Sequence, residues 1–438
     1  MAPAGDAAGD LVTALVESVP QEHFLPPLAR ILLAVLALAG LAIAAGTPIS
    51  RRLHRHRAVA ALAAGGWLAV IAGVAIGPGG LDLVDDGIVA AVRPLVIVAL
   101  GWVGLIVGLQ ARRRLLAAVP RVAWRWTSLD AAASIVAGLL VAAALLWAID
   151  RREPLPLGGA ILAASVLVAA NLGWAPETRS LRVELSDRTR RVAVLASAAA
   201  GLSSIAAVIL SGVVALPLDA GGAVAVELIA PRTLLLVATA LVAGIGTRFL
   251  LAQVERSSPQ MLVVLVGLVC LVAGIADSTG ISPLLSGLLA GAVLANLPGA
   301  PLRNLEDVIR RGEHAGAILL QATAGTLLDV RLGGAILVVA VVLAASRATT
   351  KPPIMRRVLV GAGEELPSRT PLRLAGIRQA PIAVAIAVAA VLADDSFASR
   401  ATLSAVVLAG LLSSLLPPLR SWWLRRRVGA DRLVGAAA

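Results

Sequence analysis

The chain has 438 residues, of which 59% are hydrophobic and only 15% charged, with a mean hydropathy of +0.91. Soluble globular domains carry charge at roughly a quarter of positions, so that class is excluded, as is a disordered chain; Cys270 is the only cysteine, which excludes a disulfide scaffold. A formal net charge of +12 would suggest nucleic acid in a soluble protein, and here its meaning depends on where the basic residues fall.

Before the first arginine, Arg30, come Asp6, Asp10 and Glu17, so no basic leader region and no cleavable signal peptide are expected. A membrane helix needs about 20 largely apolar residues. Cutting at Gly/Pro clusters and charge runs predicts about thirteen crossings. They run near Leu28 to Ile49, Ala58 to Ile76, Pro94 to Gln110, Ala131 to Ile149, Leu157 to Trp174, Val192 to Leu216 and Thr233 to Leu251. Met261 to Ala276, Pro283 to Leu297, Ala315 to Leu328, Leu332 to Ser346, Leu374 to Ala393 and Ala401 to Leu416 complete the set.

Charge placement tests that count, because Arg and Lys collect in cytoplasmic loops. Loops after odd crossings hold the arginines: Arg51 to Arg57, Arg112 to Arg125, Arg179 to Arg191, Arg256, Arg303 to Arg311, then Arg347, Lys351, Arg356 and Arg357, with Arg425 to Arg427 in the tail. Loops after even crossings hold Asp82, Asp85, Asp86, Asp219, Glu227, Asp277, Asp329, Asp394 and Asp395. Only Asp150 to Glu153 is mixed. The pattern predicts an N-terminus outside, a C-terminus in the cytoplasm, and a basic excess that encodes topology rather than nucleic-acid binding. Trp124, Trp126, Trp147, Trp174, Trp422 and Trp423 fall near span ends, as an interfacial belt requires, whereas Trp67 and Trp102 read as packing residues.

The second crossing ends in Ala72-Gly73-Val74-Ala75-Ile76-Gly77-Pro78-Gly79-Gly80, and the ninth in Ala290-Gly291-Ala292-Val293-Leu294-Ala295-Asn296-Leu297-Pro298-Gly299. Seven crossings separate them, so as copies they would run in opposite directions. Inverted repeats of this kind mark secondary transporters, with a site between the halves built from broken helices; the competing account is shared Ala/Gly composition in a chain with 41 glycines. The repeat would pair the fifth crossing with the twelfth, where Gln379-Ala380-Pro381 could open the backbone.

These segments resemble the monovalent cation:proton antiporters, especially the Kef-type branch. The resemblance is carried by Arg51-Arg52-Leu53, Gly77-Pro78-Gly79-Gly80-Leu81, Gly104-Leu105-Ile106-Val107-Gly108-Leu109, Gly280 to Gly287, and Gly325-Thr326-Leu327-Leu328-Asp329, in order from about Arg30 to Pro418. It implies an all-α polytopic membrane protein of the inverted-repeat antiporter type, moving monovalent cations and protons across the plasma membrane. It also implies a possible homodimer. The expected division is an outer segment 1–27, a transporter domain 28–424 with repeats near 28–216 and 260–418 around a linking helix near 233–251, and a basic tail 425–438.

In the family an acidic residue in the sixth crossing holds either a cation or a proton. The matching stretch here is Gly201-Leu202-Ser203-Ser204, with serine in place of both acids. Hydroxyls can coordinate a hard cation but do not titrate near neutral pH, so proton coupling at that point is expected to be altered or lost. Asp277, Asp329, Glu227 and Asp394 fall at span ends, and no carboxylate is expected mid-span. Further candidates for the ion path are Ser165 and Asn171 in the fifth crossing, Arg378 and Gln379 at the twelfth, and Lys351, the sole lysine. The family places a basic residue at the position of Lys351, yet Pro352, Pro353, Arg356 and Arg357 make a cytoplasmic loop the simpler reading. Gln321 and Thr323 are ascribed to interhelical hydrogen bonding. His23, His54, His56 and His314 lack ligand spacing, and Gly361-Ala362-Gly363 is no dinucleotide fingerprint, so neither metal nor cofactor is expected. Three classes stay open: a cation:proton antiporter with changed coupling, a transporter of the same fold for an anion or organic solute, and a non-transporting sensor. An enzyme is least expected, and no nucleotide-binding domain is expected after the last helix.

Overall fold

The computed structural model describes residues 66–78, 80, 86–150, 156–175, 187–218, 223–254, 258–298, 315–328, 333–363, 379–394 and 396–415. The first crossing, Arg378, Trp422 and Trp423, and all four histidines lie outside them. The described chain is almost entirely helical. In order come α1 (Trp67–Ile76), α2 (Asp86–Gln110), α3 (Arg113–Ala118), α4 (Arg121–Asp150), α5 (Leu157–Leu172), α6 (Asp187–Ala215) and, after a short 3-10 turn, α7 (Ile229–Gln253). Then follow α8 (Ser258–Ser278), α9 (Pro283–Asn296), α10 (315–326), α11 (Gly333–Gly361), α12 (Pro381–Ala393) and α13 (Phe397–Leu415). Seven of the described helices are long and apolar enough to span a bilayer: α2, α4, α6, α7 together with the turn before it, α8, α11 and α13.

Apolar attraction does little to join helices already in lipid, so close contact depends on small residues. The glycines of the sequence motifs are spent in that way. A Cβ at Gly104 or Gly108 of α2 would run into the backbone of Leu284 or Leu288 on α9, and one at Gly287 or Gly291 into Gly101 or Leu105 on α2. The same holds between α1 and α10: Gly73 lies on Ala322 and Gly325, and Gly325 on Val70 and Gly73. Gly66, at the start of α1, has φ +73°, the left-handed region that favours glycine.

Helices α5 and α12 are surrounded by protein. The run Ile382 to Val388 is wholly buried, as is the run Ser165 to Leu172. Helix α4 has two faces instead. Ala123, Trp126, Thr127, Asp130, Ser134, Val141 and Leu145 are buried at helical spacing, while Val136, Leu139, Leu140 and Trp147 point outward.

Candidate functional site

The site forms where α5 ends and α12 begins. Helix α5 ends at Leu172, and Gly173 and Trp174 continue as extended chain; Gln379 and Ala380 are likewise extended before Pro381 opens α12. The two extended pieces touch, with Trp174 bridged antiparallel to Gln379 and the Ala380 amide donating to the Gly173 carbonyl at 3.3 Å. Gln379 and Ala380 are thus extended ahead of Pro381, while the start of the predicted twelfth crossing lies outside the described residues. The sequence shows no breaker inside the fifth crossing, and the helix runs unbroken as far as Leu172, where Gly173 ends it.

A helix end leaves carbonyls without partners. At α5 one is met by Arg347 of α11, which is fully buried: Nη2 donates to the Ala170 carbonyl at 2.6 Å and Nη1 to Gln379 Oε1 at 2.7 Å. A cation at a helix C-terminus is also favoured by the helix dipole. The Gln379 amide donates to Ser413 Oγ of α13 at 3.3 Å, joining a fourth helix. Arg347 Nε and Gln379 Nε2 are buried without a partner among the described residues.

One turn further along the same face of α11, Lys351 pairs with Asp130 of α4, its Nζ lying 2.8 and 2.9 Å from the two carboxylate oxygens. Asp130 is 1% exposed and Lys351 2%. The ammonium also lies 5.7 Å from the centre of the Trp174 ring, which is stacked on Trp126 at 5.6 Å. A turn from the pair, Asn171 Nδ2 donates to the Ser134 carbonyl at 3.4 Å, and Ser346 Oγ donates to Asn171 Oδ1 at 3.3 Å. Helices α4, α5, α11 and α12 are thus tied by one polar network.

Three sequence expectations are corrected here. Arg347 and Lys351 do not lie in a loop after the eleventh crossing: α11 continues through both, and through Pro352 and Pro353, to Gly361. Nor is the chain without a mid-span carboxylate. Asp130 lies inside the apolar stretch Arg121–Trp147, and burial of that charge is tolerated because Lys351 meets it. Trp126 and Trp174, expected in an interfacial belt, are buried in the site, whereas Trp124 and Trp147 are exposed as a belt requires.

The remaining candidates separate. Ser203 is buried and its hydroxyl has no partner among the described residues; Ser204, half-buried, donates to the Ala200 carbonyl of its own helix at 2.9 Å. Ser165 also bonds within its helix, to the Leu162 carbonyl at 2.8 Å. Thr127 Oγ1, one turn before Asp130, reaches the Ala199 carbonyl at 3.5 Å, so the Asp130 stripe of α4 packs along the α6 face that precedes Ser203. Asp277 stays at a helix end, where it pairs with Arg93 at 2.9 Å.

Extended chain meeting at the ends of two buried helices, beside buried ionisable groups, is the kind of arrangement that secondary transporters build at their sites. The profile of the family described as "Sodium/hydrogen exchanger, transmembrane" matches residues 42–422, and the chain belongs to that family. It is a multi-pass membrane protein and a secondary transporter of the cation:proton type. Among solved structures it is similar to the sodium proton antiporter MjNhaP1 of Methanocaldococcus jannaschii, with a TM-score of 0.58 and 15% identity over 88% of this chain and 96% of that one. No curated protein sequence matches it.

Proposed function

We propose that proton binding in this transporter has moved from the sixth helix to the pair formed by Asp130 on α4 and Lys351 on α11. The observation that carries this is the buried contact of those two side chains beside the meeting of α5 and α12, together with the serines at 203 and 204. A monovalent cation arriving at Asp130 competes with the ammonium of Lys351. When the cation takes the carboxylate, Lys351 releases a proton and withdraws as a neutral amine; when the cation leaves, Lys351 regains the proton and the pair closes. One cation enters for one proton lost, so the charge of the site is unchanged and the exchange is electroneutral. Arg347 holds its charge throughout and fixes the crossing.

The inverted repeat is part of this reading. Under a shift of seven crossings the glycine contact of the second and tenth crossings (α1 with α10) becomes that of the ninth and third (α9 with α2), and the fifth and twelfth exchange with each other. We place the protein in the plasma membrane with its C-terminus in the cytoplasm. Dimerisation belongs to the same reading.

A second reading, transport of an anion, is favoured by Arg347, a buried cation with no carboxylate partner among the described residues. In their ordinary charge states Asp130, Lys351 and Arg347 sum to one positive charge. Reconstitution in liposomes with an imposed pH gradient distinguishes the two. On the first reading sodium, lithium or potassium collapses the gradient without building a membrane potential, and Asp130→Asn abolishes the response. Collapse by chloride or another anion alone would establish the second.

A further inference from the structure

We infer that the groove between the start of α4 and the end of α11 binds the phosphate of an anionic phospholipid. The groove has a volume of about 180 Å³ and is lined by Arg125, Val122 and Leu129 on one side and Arg357, Val358 and Gly361 on the other. That is below the 300–1,000 Å³ usual for a site that encloses an organic ligand, but a phosphate between two guanidinium groups needs no more.

Three observations select a lipid. First, Arg125 and Arg357 are exposed, and neither has a carboxylate partner among the described residues. Planar guanidinium groups bind phosphate through paired hydrogen bonds. Second, the spans of α4 and α11 begin at Arg121 and end at Gly361, so the groove opens at the membrane boundary, with Trp124 exposed beside it. Third, the lining residue on the membrane side of Arg125 is Leu129, which is 47% exposed and offers an apolar surface to a glycerol or acyl segment. Basic grooves between membrane helices take anionic head groups for these reasons. The lipid phosphate would bridge the two helices that carry Asp130 and Lys351, although the inference rests on the groove alone and not on the transport reading.

The test is lipid retention by the purified full chain, measured by native mass spectrometry with phosphatidylglycerol against phosphatidylcholine. Wild type should retain phosphatidylglycerol selectively, and Arg125→Gln/Arg357→Gln should weaken that retention by about thirtyfold, at about 1 kcal/mol per arginine. Arg114→Gln/Arg191→Gln, which removes exposed arginines elsewhere, should leave retention unchanged. Val358→Trp, which fills the groove and keeps both arginines, should weaken it, and this variant answers the question if the arginine double variant does not fold. Equal retention of the two lipids by wild type, full retention by the Arg125/Arg357 variant, or displacement by inorganic phosphate at the concentration of the lipid would each overturn the inference.

Discussion

Helix α6 and the α4–α11 pair border the same crossing and differ in what they offer it. Helix α6 presents hydroxyls: Ser203 has no partner among the described residues, and Ser204 bonds back to Ala200. The α4–α11 pair presents full charges in direct contact, Asp130 with Lys351, next to Arg347. Serines that bond locally or not at all can be lost without stranding a charge, whereas the ion pair cannot be halved. On the proposed reading the titratable chemistry of the site lies on α4 and α11, and α6 contributes packing and at most neutral oxygen ligands.

Breaking the pair should have the largest effect. Asp130→Ala or Lys351→Ala leaves a buried charge alone and should cost about 3–5 kcal/mol, read as a large fall in thermal stability together with loss of transport. Replacing both, as Asp130→Asn/Lys351→Met, should restore most of that stability and leave transport absent, which separates the role of the pair in folding from its role in exchange. Next comes the glycine seam, which carries no charge. Gly104→Leu or Gly287→Leu pushes α2 away from α9 and should cost at least the roughly 1–3 kcal/mol of an overpacked core, seen as poor recovery of folded protein. Arg347→Ala removes two charge-assisted hydrogen bonds but also the burial of a charge that has no carboxylate partner among the described residues, so the net loss should be smaller, about 1–3 kcal/mol, and Arg347→Lys should recover part of it. Smallest of all, Ser203→Ala and Ser204→Ala should shift stability by about 0.5 kcal/mol or less and leave transport near wild type.

Part of the architecture is legible from glycine placement, since a membrane helix marks its close contacts by small residues. The glycines of Gly104 to Gly108 and Gly287 to Gly291, which stand out as motifs, pack α2 and α9 on one another. Lys351 stands out as the sole lysine, but its neighbours Pro352, Pro353, Arg356 and Arg357 carry every mark of a loop. A proline inside a helix costs hydrogen bonds, and that cost is outweighed here by the packing of α11 on α4. Asp130 is hidden at the edge of the predicted fourth span, behind Arg121 and Arg125. The signal that reveals it is periodic: Thr127, Asp130 and Ser134 share one face of α4, opposite Val136, Leu139 and Leu140, so polar residues form the inner stripe of a lipid-facing helix. Its partner lies 221 residues away, and no local pattern links the two.

The most direct test compares two variants in liposomes with an imposed pH gradient. Ser203→Ala/Ser204→Ala should retain cation-dependent collapse of the gradient, and Asp130→Asn/Lys351→Met, confirmed as folded, should lose it. Loss of exchange in the serine variant with exchange retained in the Asp130/Lys351 variant would contradict the account and return the coupling site to α6.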